Sequence, residues 1–265
     1  MLPGVYQAVK KDGTIYYRSS ITYQGKHISL GSYSTEEEAH RAYVDASVIL
    51  EGTVSIEACS SFHTLSFDKM VTLINFRDNR MYIPTPIYLR KNYFSYYLDT
   101  STELKFDIDD LFYYSSHRIL RRQGHLYVND YGMQVTLLSR YGIKNHAVCG
   151  RDYRFVNEDE TDYRYSNIDV INPYYGVSRF EKDGKVRYRV KIHIRGDYTV
   201  GTYRDETRAA IAYNKAADLA KQAGMQKNFP QNYVEDLSGS AYADVYTSIK
   251  ISRRYLDFLA STISG

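Results

Sequence analysis

The sequence predicts an α+β protein. Two small domains, each a three-stranded antiparallel sheet carrying one helix, flank a central module, and a C-terminal helix closes the chain. Two observations carry this reading. Residues 187–195 read Arg-Tyr-Arg-Val-Lys-Ile-His-Ile-Arg, and side chains alternate between the two faces of a strand. Tyr188, Val190, Ile192 and Ile194 therefore line a core, while Arg187, Arg189, Lys191, His193 and Arg195 form one cationic row. The second observation is an internal repeat, since self-similarity at a fixed spacing marks a repeated structural unit.

In the repeat, Gly4-Val5 matches Gly176-Val177, Asp12-Gly13 matches Asp183-Gly184, Tyr17-Arg18 matches Tyr188-Arg189, Gly25 matches Gly196, and Gly31-Ser32-Tyr33 matches Gly201-Thr202-Tyr203. Glu36, Ala39, Ala42, Tyr43 and Ala46 match Glu206, Ala209, Ala212, Tyr213 and Ala216. Two single-residue slips near turns keep the frame. Each Asp-Gly pair between short apolar runs is a hairpin signal. Thr35 followed by Glu38 is a capping-box pattern, and Asp205-Glu206 gives the second helix an acidic start. The alanines lie on one stripe, which lets the helix sit close on the sheet. One sheet face is thus covered, and the other stays open to solvent.

The remaining elements follow in order. Domain boundaries fall at 1–52, 53–100 (a connecting region), 101–172, 173–232 and 233–265. Phe67–Phe76 predicts a helix, and Pro84 and Pro86 mark a break after it. Asp107, Asp109 and Asp110 precede Leu111-Phe112-Tyr113-Tyr114 and read as helix caps. Arg118, Arg121 and Arg122 are expected on a helix anchored by Ile119-Leu120, as an auxiliary basic patch. Residues 241–263 predict a terminal helix through Val245, Ile249, Ile251, Tyr255, Phe258, Leu259 and Ile263. The spacing leaves docking on its own chain and homodimerisation both open.

Composition narrows the function classes. The 265-residue chain is 43% hydrophobic and 25% charged, which excludes a disordered tail. Its net charge is only +3. Residues 176–204 hold eight basic against three acidic residues, a net +5, so the positive field is local. Like charges in a row gain nothing from folding, whereas a polyanion complements them, and double-stranded DNA is the expected partner. Cys59 and Cys149 are too few for a thiolate zinc site. His117, His125 and His146 lack metal-motif spacing, and the run Glu158, Asp159, Glu160, Asp162 reads as a solvated turn. No metal or cofactor is expected. No export signal or spanning segment is evident, so the expected setting is cytoplasmic, associated with the nucleoid, with no membrane partner.

Gly176-Val177, Tyr188-Arg189-Val190, Val200-Gly201-Thr202-Tyr203, Glu206, the run 209–217 and Asn228-Phe229-Pro230 resemble the AP2/ERF-type DNA-binding domain over about 55 residues. The first copy resembles it over roughly 47 residues and lacks the Asn-Phe-Pro ending. The resemblance implies a sheet laid in the major groove. Arg187, Arg189, Lys191, His193 and Arg195 would enter the groove, and Arg179, Lys182 and Lys185 would contact backbone. Tyr6, Lys10, Lys11, Tyr16, Arg18 and Lys26 are the corresponding candidates in the first copy. There the positions of the basic row are Tyr16, Arg18, Ser20, Thr22 and Gln24, only one of them charged, which implies a weaker or differently specific reader.

Residues 154–172 resemble a decayed HNH endonuclease module, which implies a central ββα module with Val135–Arg140 as its upstream strand. Asn157, Asp159, Asp162, Arg164 and Asn167 match its pattern, while Phe155 stands where the catalytic His belongs and Arg154 where the preceding Asp belongs. Phe155 cannot deprotonate water, and loss of a general base costs about 10²–10⁴-fold. Asn157, Asp162, Arg164 and Asn167 then serve turns and caps. The order of modules resembles that of mobile homing-type nucleases. The expected function is sequence-specific duplex binding, as a transcriptional regulator without catalysis. The alternatives are an active nicking endonuclease, an RNA-binding module, or a scaffold whose basic row takes an acidic protein.

Overall fold

The computed structural model describes residues 1–235 and 237–263. The chain divides into two compact units. The first is residues 1–137 with 157–167, and the second is 138–156 with 168–265.

The first unit begins with β1 (Val5–Val9), β2 (Ile15–Tyr23) and β3 (Lys26–Tyr33), an antiparallel sheet in that order, followed by α1 (Glu36–Glu51). Thr35 caps α1, its hydroxyl accepting from Glu38 N at 3.2 Å. Ala39, Ala42 and Ala46 are fully buried, as the small-residue stripe requires. The core of this first repeat does not end at residue 52. Ile21, Ile28, Ala46 and Ile49 share one cluster with Cys59, Met70, Leu73, Ile74 and Tyr97, so α2 (Phe67–Asn79) completes it. Burial pushes the Cys59 thiol up to about 11, an inert core residue.

Next come β4 (Ile87–Leu89), β5 (Tyr93–Asp99) and β6 (Thr102–Asp107), an antiparallel sheet packed with Phe94, Phe106 and Tyr114. Then follow α3 (Leu111–Ser116) and the sheet β7 (Ile119–Arg122), β8 (His125–Asp130) and β9 (Met133–Thr136). Three expectations are corrected here. Residues 119–122 form a strand rather than a helix, because Ile119 is buried opposite Val128 and Leu120 pairs with Tyr127. Arg118 bonds Asp68, and Arg121 lies 3.8 Å from Asp99, so that patch is partly neutralised. The strand expected over 135–140 stops at Thr136, and 137–141 is a 3₁₀ turn that buries Leu137. Asp107 makes no side-chain cap; its Oδ2 accepts from Tyr165 N at 2.7 Å.

The second unit holds the two-stranded pair β10 (Tyr153–Phe155) and β11 (Ile168–Val170). No helix follows β11. Asn172-Pro173 and a short turn lead into β12 (Val177–Lys182), so a ββα module does not form. Proline after β11 supplies no backbone donor, and Asn172 is itself occupied, donating to Arg151 O at 2.7 Å and accepting from Arg179 N at 2.7 Å.

With β13 (Lys185–His193), β14 (Asp197–Tyr203) and α4 (Glu206–Gln222), β12 repeats the first sheet-and-helix unit. The repeated Gly-Val start has a shared cause. Gly4 (φ 75°) and Gly176 (φ 69°) are left-handed, and a Cβ there would fall 2.1 Å from Tyr43 and 2.3 Å from Tyr213, the matching helix tyrosines. The middle and third strands of both copies also break register at one place, leaving Leu30 and Val200 as extra buried residues.

The predicted terminal helix is two, α5 (Gly239–Ser248) and α6 (Arg253–Ile263), parted at Ile249–Ser252. Ser252 N donates to Val200 O at 2.8 Å, which spends a donor outside the helix. Tyr255 is fully buried and its hydroxyl donates to Ala216 O at 2.8 Å; Leu259 is 5% exposed. Of the apolar residues that left homodimerisation open, Ile249, Tyr255 and Leu259 are buried in their own unit, and Val245, Ile251 and Phe258 are partly buried there. Among the described residues, no helix is long and apolar enough to cross a membrane.

Candidate nucleic-acid interface

The second sheet has two chemically distinct faces. Val177, Val190, Ile192 and Val200 are at most 1% exposed beneath α4. Pairing fixes what lies on the other face. Arg189 stands opposite Ser178 and Thr202, Arg187 opposite Phe180, Lys191 opposite Thr199, and His193 opposite Asp197. Arg189, Lys191, His193, Thr199 and Thr202 are exposed, Arg187 is half-buried, and among the described residues no element of this unit covers them. Lys182 and Lys185 pair at the hairpin end of the same face.

Two of the residues expected to contact DNA, one as a backbone contact and one in the row, sit elsewhere. Arg179 pairs with Tyr188, which puts it on the opposite face, where it lines a cleft of about 360 Å³ with Arg154, Asp169 and Glu206. Burial raises the Glu206 carboxyl above its ordinary range against the opposing charges of Arg179 and Lys144. Arg195 lies past the end of β13, exposed in the turn closed by Ile194 N donating to Gly196 O at 3.1 Å. A one-strand alternation could not show that the chain reverses before residue 195, whereas the three-residue spacing of Arg179 and Lys182 is a signal that could have put them on opposite faces of one strand.

The structure also adds residues that the pattern did not single out. Phe180 lies on the open face with the Arg189 guanidinium 4.7 Å from its ring centroid, a cation–π contact. Asp197 accepts from His193 Nδ1 at 2.8 Å and lies 4.0 Å from Lys191 Nζ. The His193 hydrogen bond, aided by Lys191, holds the Asp197 carboxyl below its usual range. Counting back across the turn from His193 would have placed this acid inside the basic row.

The first sheet presents a different surface. Tyr6, opposite Arg18, is 55% exposed. Tyr16 Oη accepts from Arg18 Nε at 3.1 Å and Nη2 at 2.7 Å, so the one cation in the row is tethered to its neighbour. Ser20, expected outward, is 7% exposed. Lys10 and Lys11 sit in the exposed β1–β2 turn, and Lys26 Nζ lies 4.8 Å from the Tyr82 ring.

The nuclease-like residues divide between the units. Phe155 is 8% exposed and meets Tyr153 edge-on at 5.8 Å. Arg154, where the pattern has an acid, pairs with Asp169 at 2.8 Å. In the first unit, Asp162 is fully buried and accepts from Arg164 Nε at 2.8 Å, Arg164 Nη2 at 2.6 Å and Asn157 Nδ2 at 3.1 Å. Burial acts to raise the Asp162 carboxyl, but the Arg164 and Asn157 bonds outweigh it and the net shift is downward. Asn167 closes the loop, accepting from Asn157 N at 2.8 Å and donating to Asp162 O at 2.8 Å. The acidic run is therefore not simply a solvated turn. Asp159 bonds Thr161 and Lys105, and those bonds hold it at about 2. Among the described residues, no three His, Cys, Asp or Glu side chains converge to hold a metal ion.

Compared with protein-family models, curated proteins and solved structures, the chain matches none.

Proposed function

We propose that this protein binds double-stranded DNA in a sequence-specific way through the open face of its second three-stranded sheet, and that it regulates transcription without cutting DNA. The observation that carries this reading is the partition of β13: Val190 and Ile192 buried, Arg189, Lys191 and His193 exposed. A two- or three-stranded ribbon fits the major groove, about 12 Å wide, where guanidinium groups read guanine edges. Lys182 and Lys185 at the hairpin end suit phosphate contacts that set register. The first sheet, with Tyr6, Tyr16 and a tethered Arg18, serves as a second and weaker reader. Two readers on one chain raise effective concentration on a bipartite site.

Absence of cleavage rests on side-chain chemistry. The general-base position holds Phe155, and the carboxylate of Asp162 is consumed by Arg164. These features support descent from an HNH-type nuclease that has lost hydrolysis.

Duplex selection from a random pool, followed by salt titration of the selected sequence, tests the reading. Arg189→Ala should weaken binding by about 1–3 kcal/mol and relax preference at one base pair. Equal losses on selected and random duplexes would make Arg189 a phosphate contact. Metal-dependent nicking of supercoiled plasmid would overturn the non-catalytic assignment.

A further inference from the structure

Resting on the DNA-binding reading above, we infer that Asp197 is a specificity-determining residue, a carboxylate that suppresses indiscriminate polyanion binding and admits sequences offering it a hydrogen-bond donor. Among the strand residues of the open face, Lys182, Lys185, Arg187, Arg189 and Lys191 carry positive charge, and Asp197 is the one carboxylate. It stands at the start of β14, opposite His193, and its side chain is 60% exposed.

Stability does not account for an acid in that place. Its partners, Lys191 and His193, are 49% and 62% exposed, and ion pairs of that kind contribute little to folding because water screens them. The cost falls on ligand binding instead. A phosphate that approaches Lys191 or His193 must displace Asp197 from them, and it then meets an uncompensated negative charge. Every sequence suffers this through the backbone, so the penalty is uniform for non-specific binding.

A base edge can remove it. Exocyclic amino groups are the donors in the major groove, and cytosine N4 is the usual partner of a side-chain carboxylate. A target that places an amino group at Asp197 satisfies the carboxylate and frees Lys191 and His193 for phosphate. Asp197 thereby converts a generally adhesive face into one that discriminates. Arg189 lies outside this arrangement: its guanidinium rests over Phe180 and pairs with no carboxylate among the described residues.

The test compares the full-length wild type, Asp197→Asn and Arg189→Ala. Each is titrated with a short fluorescent duplex of randomised sequence over a series of salt concentrations, and each is used in duplex selection. Asparagine keeps one oxygen for His193, removes the charge and turns the second acceptor into an N–H donor. Asp197→Asn should bind the randomised duplex about threefold more tightly, with a salt slope steeper by about one phosphate contact. The sequences it selects should lose preference at one base pair that the wild type retains. If Arg189→Ala weakens binding while Asp197→Asn matches the wild type or binds less, the role of Asp197 is refuted and the DNA reading stands. If no variant differs from the wild type, or none binds duplex at low salt, both fall together.

Discussion

Replacing Asp162 with alanine tests whether the nuclease-like loop is scaffold or machinery. The carboxylate is 1% exposed and receives two bonds from the Arg164 guanidinium, one from the Arg164 backbone N–H and one from Asn157. Truncation orphans the Asn157 amide and strands a guanidinium. Breaking a fully buried pair costs about 3–5 kcal/mol. Because Arg164 is 37% exposed, water recovers part of its solvation, and the expected loss is about 2–3 kcal/mol.

Equilibrium urea unfolding measures the total. Native-state hydrogen exchange at Lys105 and Tyr163 reports locally, since Lys105 N donates to Thr161 O at 3.0 Å and Tyr163 N donates to Lys105 O at 2.8 Å. A metal-binding carboxylate predicts the reverse, because removing it would relieve charge and leave those amides protected. A change under about 0.5 kcal/mol, with unaltered exchange, refutes the scaffold assignment. The pH dependence has a definite sign. The folded-state values of Asp162 and Asp159 are depressed, so their contribution is present above the unfolded carboxylate range and is lost as pH falls through the folded values, about 2 for Asp159.

Two further substitutions probe the repeat. Ser19 occupies in the first sheet the place of Val190 in the second, is 1% exposed, and its hydroxyl has no partner among the described residues; Ser19→Ala should stabilise by about 1 kcal/mol, read as a higher urea midpoint. Gly176→Ala must place a Cβ 2.3 Å from Tyr213 and 2.4 Å from Lys191 O at φ 69°, so it should cost about 2 kcal/mol or more and lower the thermal midpoint.

The repeat was the most legible part of the sequence because each of its signals is local. Turn glycines, cap residues and the alanine stripe specify a hairpin, a helix start and a close helix–sheet contact without reference to distant chain. The basic row was legible for the same reason, as far as the strand ran. What failed was the choice of partners across turns, which the pattern of a single segment does not carry. Residues 119–122 look helical until Ile119 and Leu120 find Val128 and Tyr127. The ββα expectation relied on a motif whose residues survive as a hydrogen-bonded loop although the helix does not. Asp197 escaped notice because a net charge counts it as one subtraction, while register puts it beside His193 and Lys191.

The loop 157–167 has a consequence for how the molecule is made. It belongs to the first compact unit, yet the chain on either side of it belongs to the second. The backbone therefore crosses between the units three times, and no single proteolytic cut can release either one whole. During synthesis, the edge of β6 at Lys105 waits for Thr161 and Tyr163 to emerge before its last backbone bonds close. Any fragment that stops at residue 137 is missing that seal.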